Sequence, residues 1–359
     1  MSYANTGRPR FYIDWNVYSV AMGLVKGGWT YRGSVANLNG LRHPISLNPG
    51  KLWTYTQSHV DYMAPIINWD GIPFDVNEAN WLGVLGHEMA GKGIRLSSGK
   101  LPIDVAYENH SGNASYNSMH HVQTNWAPVN GILNSSATAV VPEYNGFTLC
   151  ELNGSTNSDW SDDKLWKQHL IFYLGEGVSR KVGTWCWGNT YDMPISPDLK
   201  VKMSTEMDGV TQYKTKGGST LSNAMFTGPP NWGDLGPWEL HDPNADRIMK
   251  PLRVGRRTWD LSFSFLSDSD IMPVLGVPNY IDGTTDYLVG ASDIASSNDF
   301  FSQVWNRTMG GHLPFIFQPD NTDFSPSGFA IARFDMKSLK ITQSMHRKYK
   351  VKLKIRESW

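Results

Sequence analysis

The sequence predicts an all-β protein, and three observations carry this prediction. Aromatic residues are abundant, with 15 Trp, 15 Tyr and 14 Phe in 359 residues, and such side chains fit a pleated, half-buried surface. The chain also contains 34 Gly and 20 Pro, which are residues that favour turns. From about residue 48, short runs of alternating apolar and polar residues recur every 8 to 14 residues, a spacing typical of a β-sandwich.

The length and charge of the chain limit its class. At about 150 residues per domain, 359 residues predict two domains, or three with a small module. A formal net charge of −1 and 40 % hydrophobic residues argue against disorder and against bulk binding of nucleic acid. The sequence shows no signal peptide and no run of about 18 apolar residues, so we expect synthesis in a cytoplasm. Cys150 and Cys186 are expected to be buried thiols, although their spacing leaves a disulfide open.

The first 182 residues read as a series of strands. In "RFYIDWNVYSVAMGL", alternation at Phe11, Ile13, Trp15 and Val17 predicts a strand, with a short helix as the alternative. Six further runs have the composition of strands between turns: "WTYTQSHV", "APIINWD", "NWLGVLGHEM", "GIRLSS", "IDVAYEN" and "KLWKQHLIFYLG".

A second β-rich block begins near Gly183. In "DLKVKMSTEMDG" one face would carry Leu199, Val201 and Met203. In "RRTWDLSFSFL" the same alternation places four aromatic or aliphatic residues on one face: Trp259, Leu261, Phe263 and Phe265. "FAIARFDM", "SLKITQS" and "KYKVKLKIRESW" complete the block as three further strands.

One helix is predicted, over residues 298–309. Asn298 is a suitable N-cap, and Gly310 and Gly311 would end the helix. Its apolar side follows helical spacing and consists of Phe301, Val304, Trp305 and Thr308.

The last strand carries a row of positive charges. Tyr349, Val351, Leu353 and Ile355 would face the core, while the other face carries Lys348, Lys350, Lys352, Lys354 and Arg356. Residues 337–356 contain eight Lys or Arg and no Asp or Glu. Lysine on an edge strand discourages unwanted pairing. Alternatively, in a ring of identical subunits the row would face a neighbour, or a lumen that holds an anionic polymer such as DNA.

Motifs for chemistry are weak throughout the chain. "LGHEMAGKG" begins like a zinc-protease motif, but Gly91 stands where the second histidine would be needed. We therefore expect His87 to be a strand-end histidine with local hydrogen bonds. His120 and His121 would point to opposite faces of a strand, and they chelate one ion only if they lie in a loop.

Two loops contain residues of the kind that bind ligands. Asn157, Asp159, Asp162 and Asp163 offer oxygen ligands for calcium, although a solvated acidic loop explains them better. In "KTKGGST" the order of residues is wrong for a phosphate loop, and a hairpin turn at Gly217 and Gly218 is expected instead. We predict no catalytic, cofactor or metal site, and hence not an enzyme.

Three C-terminal segments carry a resemblance to a known class of proteins. "GRRTWDLSFSFLSDSDIMP", "FFSQVWNRTMGGHLPFIFQPD" and "FAIARFDMKSLKITQSMHRKYKVKLKIRESW" resemble distal tail and minor tail proteins of long-tailed bacteriophages. The resemblance implies a tube-type β-sandwich that assembles as a ring, commonly a hexamer, at the end of the tail tube. It also implies a virion location after synthesis in the host bacterial cytoplasm.

The middle of the chain resembles a second fold. "ANWLGVLGHEMAGKGIRLS" is similar to the strand-turn-strand of discoidin-like, galactose-binding-type jelly rolls, with Glu88 where asparagine is usual. The predicted domains are an N-terminal segment (1–45), a jelly-roll β-sandwich (46–182) and a tail-tube-type β-sandwich with one short helix (183–359).

The expected function is organisational. The C-terminal domain would form the ring and leave a lumen for DNA, while the jelly roll would face other tip proteins or host surface glycans. The alternative is a carbohydrate-binding adhesion protein that acts through the jelly roll, because flat aromatic rings can stack on sugars. An enzyme that degrades polysaccharide ranks third, since the fold can bring two carboxylates together.

Overall fold

Strands from three distant parts of the chain meet in one antiparallel sheet. The computed structural model describes residues 7–23, 25–31, 47, 53–56, 63–67, 80–87, 89, 91, 95–101, 126–128, 132–133, 140–142, 146–152, 167–173, 179–206, 210–224, 256–273, 297–324 and 328–358. Within these residues, eleven strands form the main sheet and the others pair two by two. The prediction of an all-β protein is confirmed.

The elements are short, as the spacing of turn residues predicts. The strands are β1 (Arg10–Asp14), β2 (Val25–Tyr31), β3 (Trp53–Thr56), β4 (Met63–Ile67), β5 (Trp81–His87), β6 (Arg95–Leu101), β7 (Trp126–Pro128), β8 (Ile132–Leu133), β9 (Val140–Val141), β10 (Gly146–Leu152), β11 (Lys167–Tyr173), β12 (Ser179–Val182), β13 (Thr184–Asp192), β14 (Lys202–Glu206), β15 (Val210–Lys214), β16 (Thr220–Ala224), β17 (Arg256–Leu266), β18 (Phe315–Gln318), β19 (Ala330–Phe334), β20 (Ile341–Met345) and β21 (Lys348–Glu357). The helices are α1 (Trp15–Ala21), α2 (Asp268–Ile271) and a π-helix (Phe301–Asn306).

The order of strands in the main sheet differs strongly from their order in the chain. It runs β14, β17, β21, β19, β18, β1, β13, β5, β10, β7, and β20 pairs with β21 beside this path. The remaining described strands form antiparallel pairs: β2 with β4, β3 with β12, β6 with β11, β8 with β9 and β15 with β16.

β1 lies near the middle of this sheet, between β13 and β18. Phe11 is opposite Tyr191 on one side and Phe317 on the other. Phe11, Tyr12 and Ile13 are all buried, because a strand inside a doubly covered sheet has no solvent face.

The main sheet crosses the predicted domain boundaries. β1 comes from the predicted segment 1–45, β5 and β10 from 46–182, and β13 from 183–359, yet β13 pairs with both β1 and β5. In the described part of the chain, the boundary between residues 182 and 183 therefore does not separate two sheets.

The sheet curls so that distant strands face each other. Phe147 of β10 lies 5.5 Å from Phe329, next to β19, between ring centroids. Four strands separate β10 from β19 in the sheet order, and in a flat sheet these two strands would be roughly 24 Å apart. The sheet therefore folds back on itself as the two layers of a β-sandwich.

A cluster of aromatic rings fills the opposite face near β1. Phe11 lies 5.3 to 6.0 Å, between ring centroids, from each of four others: Phe300, Phe315, Phe317 and Phe334. Such edge-to-face and tilted pairs add to the stabilisation from burial. Phe300 precedes the π-helix, so the cluster holds this helix against the sheet.

The predicted helix over 298–309 is present but shorter, and it is a π-helix. Asp299, not Asn298, caps it: the Asp299 carboxylate accepts hydrogen bonds from the Ser302 N–H and from the Ser302 hydroxyl, each at 2.9 Å. Gly310 and Gly311 follow with φ of +68° and +88°, which glycine adopts without strain. The π-helix itself ends at Asn306, before the predicted end, and the two glycines lie in the turn that follows it.

The first predicted strand is confirmed in part, and the alternative of a short helix holds for the rest of that run. The first strand ends at Asp14, so Trp15 and Val17 lie in α1, whose first turn is capped by the Asp14 carboxylate accepting from the Asn16 N–H at 2.9 Å. A single short helix was expected, whereas the described residues contain three helical segments.

Two predicted core faces are also partly wrong. Leu199 and Met203 are exposed, because β14 is the first strand of the sheet order and every one of its residues is exposed. In β17, Trp259, Leu261 and Phe263 are buried as predicted, but Phe265 is exposed. The register of β17 against β21 shifts after Phe263, and Phe265 has a φ of +69°, so a bulge turns its ring to solvent.

Candidate assembly surface

β21 carries the cationic row that the sequence predicts, namely Lys348, Lys350, Lys352, Lys354 and Arg356. Val351, Leu353 and Ile355 between them are buried. The alternation follows from the period of two along a strand whose one face packs on the core. The role of the row towards a lumen or a neighbour stays a prediction.

Carboxylates neutralise part of the cationic row. The ion pairs are Lys354 Nζ with Asp335 Oδ2 at 2.5 Å, Arg356 Nη2 with Glu206 Oε2 at 2.7 Å and Lys350 Nζ with Asp198 Oδ2 at 4.0 Å. The hydrogen bond from Lys354 to Asp335 raises the pKa of the lysine. All three pairs are solvent-exposed and individually weak, so this face is of mixed sign.

A network around Arg10 was not apparent from the sequence. Its guanidinium donates to both oxygens of Asp192, at 2.6 and 2.7 Å, and to Glu151 Oε1 at 2.6 Å. The Tyr12 hydroxyl donates to the same Glu151 oxygen at 2.8 Å. Burial raises the pKa of Tyr12, and the hydrogen bond to Asp192 raises that of Arg10.

This network holds the curl of the sheet closed. Glu151 belongs to β10 and Arg10 to β1, with β13 and β5 between them in the sheet, so their contact joins the two layers. Asp192 and Glu151 both accept hydrogen bonds from the Arg10 guanidinium, so both carboxylates are ion-pair partners of Arg10. Charge-assisted bonds of this kind are stronger than those between neutral groups.

His87 is the strand-end histidine that was predicted. It is fully buried at the end of β5. The Met89 N–H donates to its Nδ1 at 3.2 Å, so the proton lies on Nε2, which is 2.8 Å from Thr148 Oγ1. Burial lowers the pKa of His87 to about 4, so the imidazole is neutral at pH 7.

The two cysteines are buried free thiols, and no disulfide joins them. Cys150 pairs with Leu82 of β5 and Cys186 with Gly83. Since neighbours in a strand face opposite ways, the two thiols lie on opposite faces of the sheet. Burial raises the pKa of both thiols.

Several predicted ligand candidates lie outside the described residues: His120, His121, Asn157, Asp159, Asp162 and Asp163. Among the residues that the structure describes, no group of three or more His, Cys, Asp or Glu is placed to hold a metal ion. In that same part of the chain, no helix has the length and apolar character needed to span a membrane.

Among the strands whose burial the structure describes, β14 and β15 are exposed along their whole length, and both lie between β13 and β17. We call β14 together with the β15–β16 hairpin the arm. The predicted turn at Gly217 and Gly218 is confirmed: Thr215 and Ser219 close it, with Gly218 at a φ of +85°. Tyr213 and Leu221 face each other across the hairpin and are exposed. No described strand pairs with the outer edge of β14.

Comparisons of this chain with protein-family models, curated proteins and solved structures found no match. The described geometry offers two features that suit contact with other molecules. One is the mixed-charge face of β21, and the other is the exposed arm. β21 and the β14 strand of the arm both lie in the part of the main sheet around β17.

Proposed function

We propose that this protein is a structural component of a tailed-phage virion. It forms a distal tail or tail-tip ring with copies of itself, with six subunits as the expected number. The ring extends the tail tube and connects it to the tip or receptor-binding apparatus.

The observation that carries the proposal is the placement of the three resembling segments. They supply β17, then the π-helix and β18, and finally β19 to β21. These strands are neighbours in the sheet, in the order β17, β21, β19, β18, and β20 lies beside β21. The three segments thus form neighbouring strands of one sheet, as a single structural unit requires.

The exposed β-edges are a second support. A free strand edge can pair with another chain, and proteins that remain monomeric protect such edges with charge, proline or bulges. β14 lacks proline and carries charge only at its two ends, Lys202 and Glu206, so its middle residues Met203, Ser204 and Thr205 have no such protection. An edge of this kind suits a subunit that assembles through strand contacts.

In the proposed ring, the cationic row faces a neighbour or the lumen. Lys348 and Lys352 have no carboxylate at ion-pair distance among the described residues, so they are the members best suited to phosphate. Contact with DNA through these two would be weak and salt-dependent. We therefore expect contact with a neighbouring subunit to dominate.

The test is negative-stain electron microscopy with light scattering on the full chain, at high protein concentration and low salt. Closed rings of uniform diameter with an open centre would support the proposal. Compact monomers at every concentration, together with binding of the full chain to a glycan array, would favour a carbohydrate-binding adhesion protein instead. The full chain is needed because residues 46–182 alone would leave β5 without its partner β13.

A further inference from the structure

Most of the exposed large apolar side chains belong to two parts of the described structure. The first is the hairpin, with Val210, Tyr213 and Leu221. The second is one end of the main sheet, and we call it the sheet-end patch: Leu199, Phe265, Met272 and Met345. Contiguous exposed apolar surface on a soluble protein marks a contact with another molecule.

The members of the sheet-end patch are brought together by strand pairing. The Asp198 carboxylate accepts hydrogen bonds from the N–H and the hydroxyl of Ser264, at 3.2 and 2.8 Å. Leu199 follows Asp198 in the chain and Phe265 follows Ser264, so this contact brings Leu199 towards Phe265. β17 pairs Leu266 with Tyr349, and β20 pairs Met345 with Lys348. Phe265 and Met345 therefore lie at the same end of neighbouring strands, and Met272 follows α2, directly after β17.

The bulge at Phe265 places the most prominent ring of the patch. A non-glycine residue with a φ of +69° is held there by its surroundings at an energetic cost. The bulge directs the Phe265 ring away from the core that Phe263 enters. A straight strand would place this aromatic side chain with its buried neighbours.

The hairpin needs a surface to pack on. It pairs with no other described strand, and its side chains from Val210 to Lys214 are all exposed. An isolated two-stranded hairpin is marginal in water. Tyr213 and Leu221 form a cross-strand pair, and burial of this pair against another apolar surface would stabilise the hairpin.

We infer that the hairpin of one copy docks on the sheet-end patch of the next copy. The inference rests on the proposed ring and names its contact. Both halves of an apolar contact are present on one chain at different positions, and a contact between two different patches is head-to-tail. Contacts of this kind close into a ring when the rotation allows it.

Charge supports the same pairing. Residues 210–224 contain Lys214 and Lys216 and no Asp or Glu. Asp198 and Asp268 border the sheet-end patch on the β17 side, while Arg347 and Lys348 lie at the β20–β21 turn. The hairpin lysines therefore fit the side of the patch that carries the two carboxylates.

Site-specific crosslinking tests this contact directly. Asn223→Cys lies on the same face of the hairpin as Leu221, and Ser269→Cys is an exposed position beside the patch. Both leave the apolar side chains in place, and the native Cys150 and Cys186 are buried. Mixing the two single variants under mild oxidation should give a disulfide-linked heterodimer. Phe324→Cys, at an exposed position outside both surfaces, is the control partner and should give none.

Apolar-to-serine variants provide the second readout. Tyr213→Ser with Leu221→Ser, or Phe265→Ser with Met345→Ser, should raise the concentration needed for assembly at least about tenfold. Met22→Ser with Phe324→Ser removes side chains of similar exposure, 49 % and 50 %. This control pair should change the concentration needed for assembly by no more than about twofold. Unchanged thermal unfolding would show that each variant still folds.

The outcomes separate this inference from the proposed function. Rings without the crosslink, and with assembly unaffected in both serine pairs, would overturn the docking contact and leave the ring intact. The crosslink without rings would support the contact and argue against a tail ring. Crosslinking only between two Asn223→Cys chains would replace the head-to-tail contact by a two-fold one and overturn the inference.

Discussion

The middle of the main sheet and the arm are built from the same kind of strand but have opposite surroundings. β1 and β13 are covered on both faces and carry large buried rings such as Phe11, Tyr12 and Trp185, whereas every residue of β14 and β15 is exposed. Alternating sequence patterns therefore do not distinguish a buried strand from an exposed one. The position of a strand in the sheet order decides whether the strand is buried, because only interior strands have neighbours on both sides.

The difference predicts where stability resides. Burial of aromatic and aliphatic side chains dominates folding, so the middle of the sheet should control unfolding. The arm should contribute little to the folded monomer and much to association. Four predictions, taken from the largest expected effect to the smallest, sharpen this contrast.

The largest effect is expected for Gly188→Ala in β13. A Cβ atom there would lie 2.0 Å from the Ile13 carbonyl oxygen and 2.9 Å from the Trp15 ring. Backbone has to move, so the free energy of unfolding should fall by more than about 3 kcal/mol, measured by denaturant titration. Gly217→Ala in the hairpin is the control, since its Cβ meets nothing closer than 4.0 Å, and it should change stability by less than about 0.5 kcal/mol.

The next effect is a pH dependence from His87. Its pKa in the folded protein is lowered to about 4, against about 6.5 in the unfolded chain. Between these values the unfolded state binds the proton and the folded state does not, so stability falls as the pH falls from about 6.5 to 4. The full loss is about 3 kcal/mol.

Denaturant titrations at pH 7 and pH 4.5 measure this loss. His87→Gln should reduce the difference between the two pH values. His346→Gln, at an exposed position in the turn before β21, should leave it as in the wild type. An equal effect of both variants would contradict the assignment to His87.

A smaller effect is expected for Arg10→Met. The change leaves Glu151 and Asp192 without their shared partner, and hydrogen bonds to charged groups are worth about 2 kcal/mol. The free energy of unfolding should fall by about that amount, and the loss should change little with salt because the group is mostly buried. A loss below about 0.5 kcal/mol would show that the network does not hold the curl.

The smallest effect is expected for Arg356→Met, which removes the ion pair with Glu206 of the arm. Both side chains are largely solvent-exposed, so the change should cost less than about 1 kcal/mol, and 1 M salt should remove the difference. A cost equal to that of Arg10→Met would erase the contrast between the two regions.

Local features could be predicted well from the sequence. The faces of β21 follow from a period of two, and the turn at Gly217 and Gly218 follows from the conformational freedom of glycine. His87 was correctly placed because Gly91 removes the second ligand of a zinc motif. In each case the deciding residues lie within a few positions of one another.

Features that depend on distant contacts could not be predicted. Nothing near Arg10 in the sequence indicates Glu151 or Asp192, which are 141 and 182 residues away. The bulge that exposes Phe265 interrupts a regular alternation, so the pattern alone gave the wrong face. The carboxylate that accepts from the Ser302 N–H belongs to Asp299, one residue after the predicted cap, and the choice between two neighbouring polar residues depends on where the first turn begins.

The central position of β1 has a consequence for biosynthesis. Tyr12 contacts Gln318, 306 residues later in the chain, and at about 5 to 20 residues per second this interval takes roughly 15 to 60 s. During that time Phe11 and Ile13 leave the ribosome on a strand whose partners β13 and β18 are made later. Contacts of such high sequence separation make folding slow. The nascent chain, rather than the finished protein, is therefore the form most exposed to aggregation, and chaperone supply should govern the yield of soluble subunits.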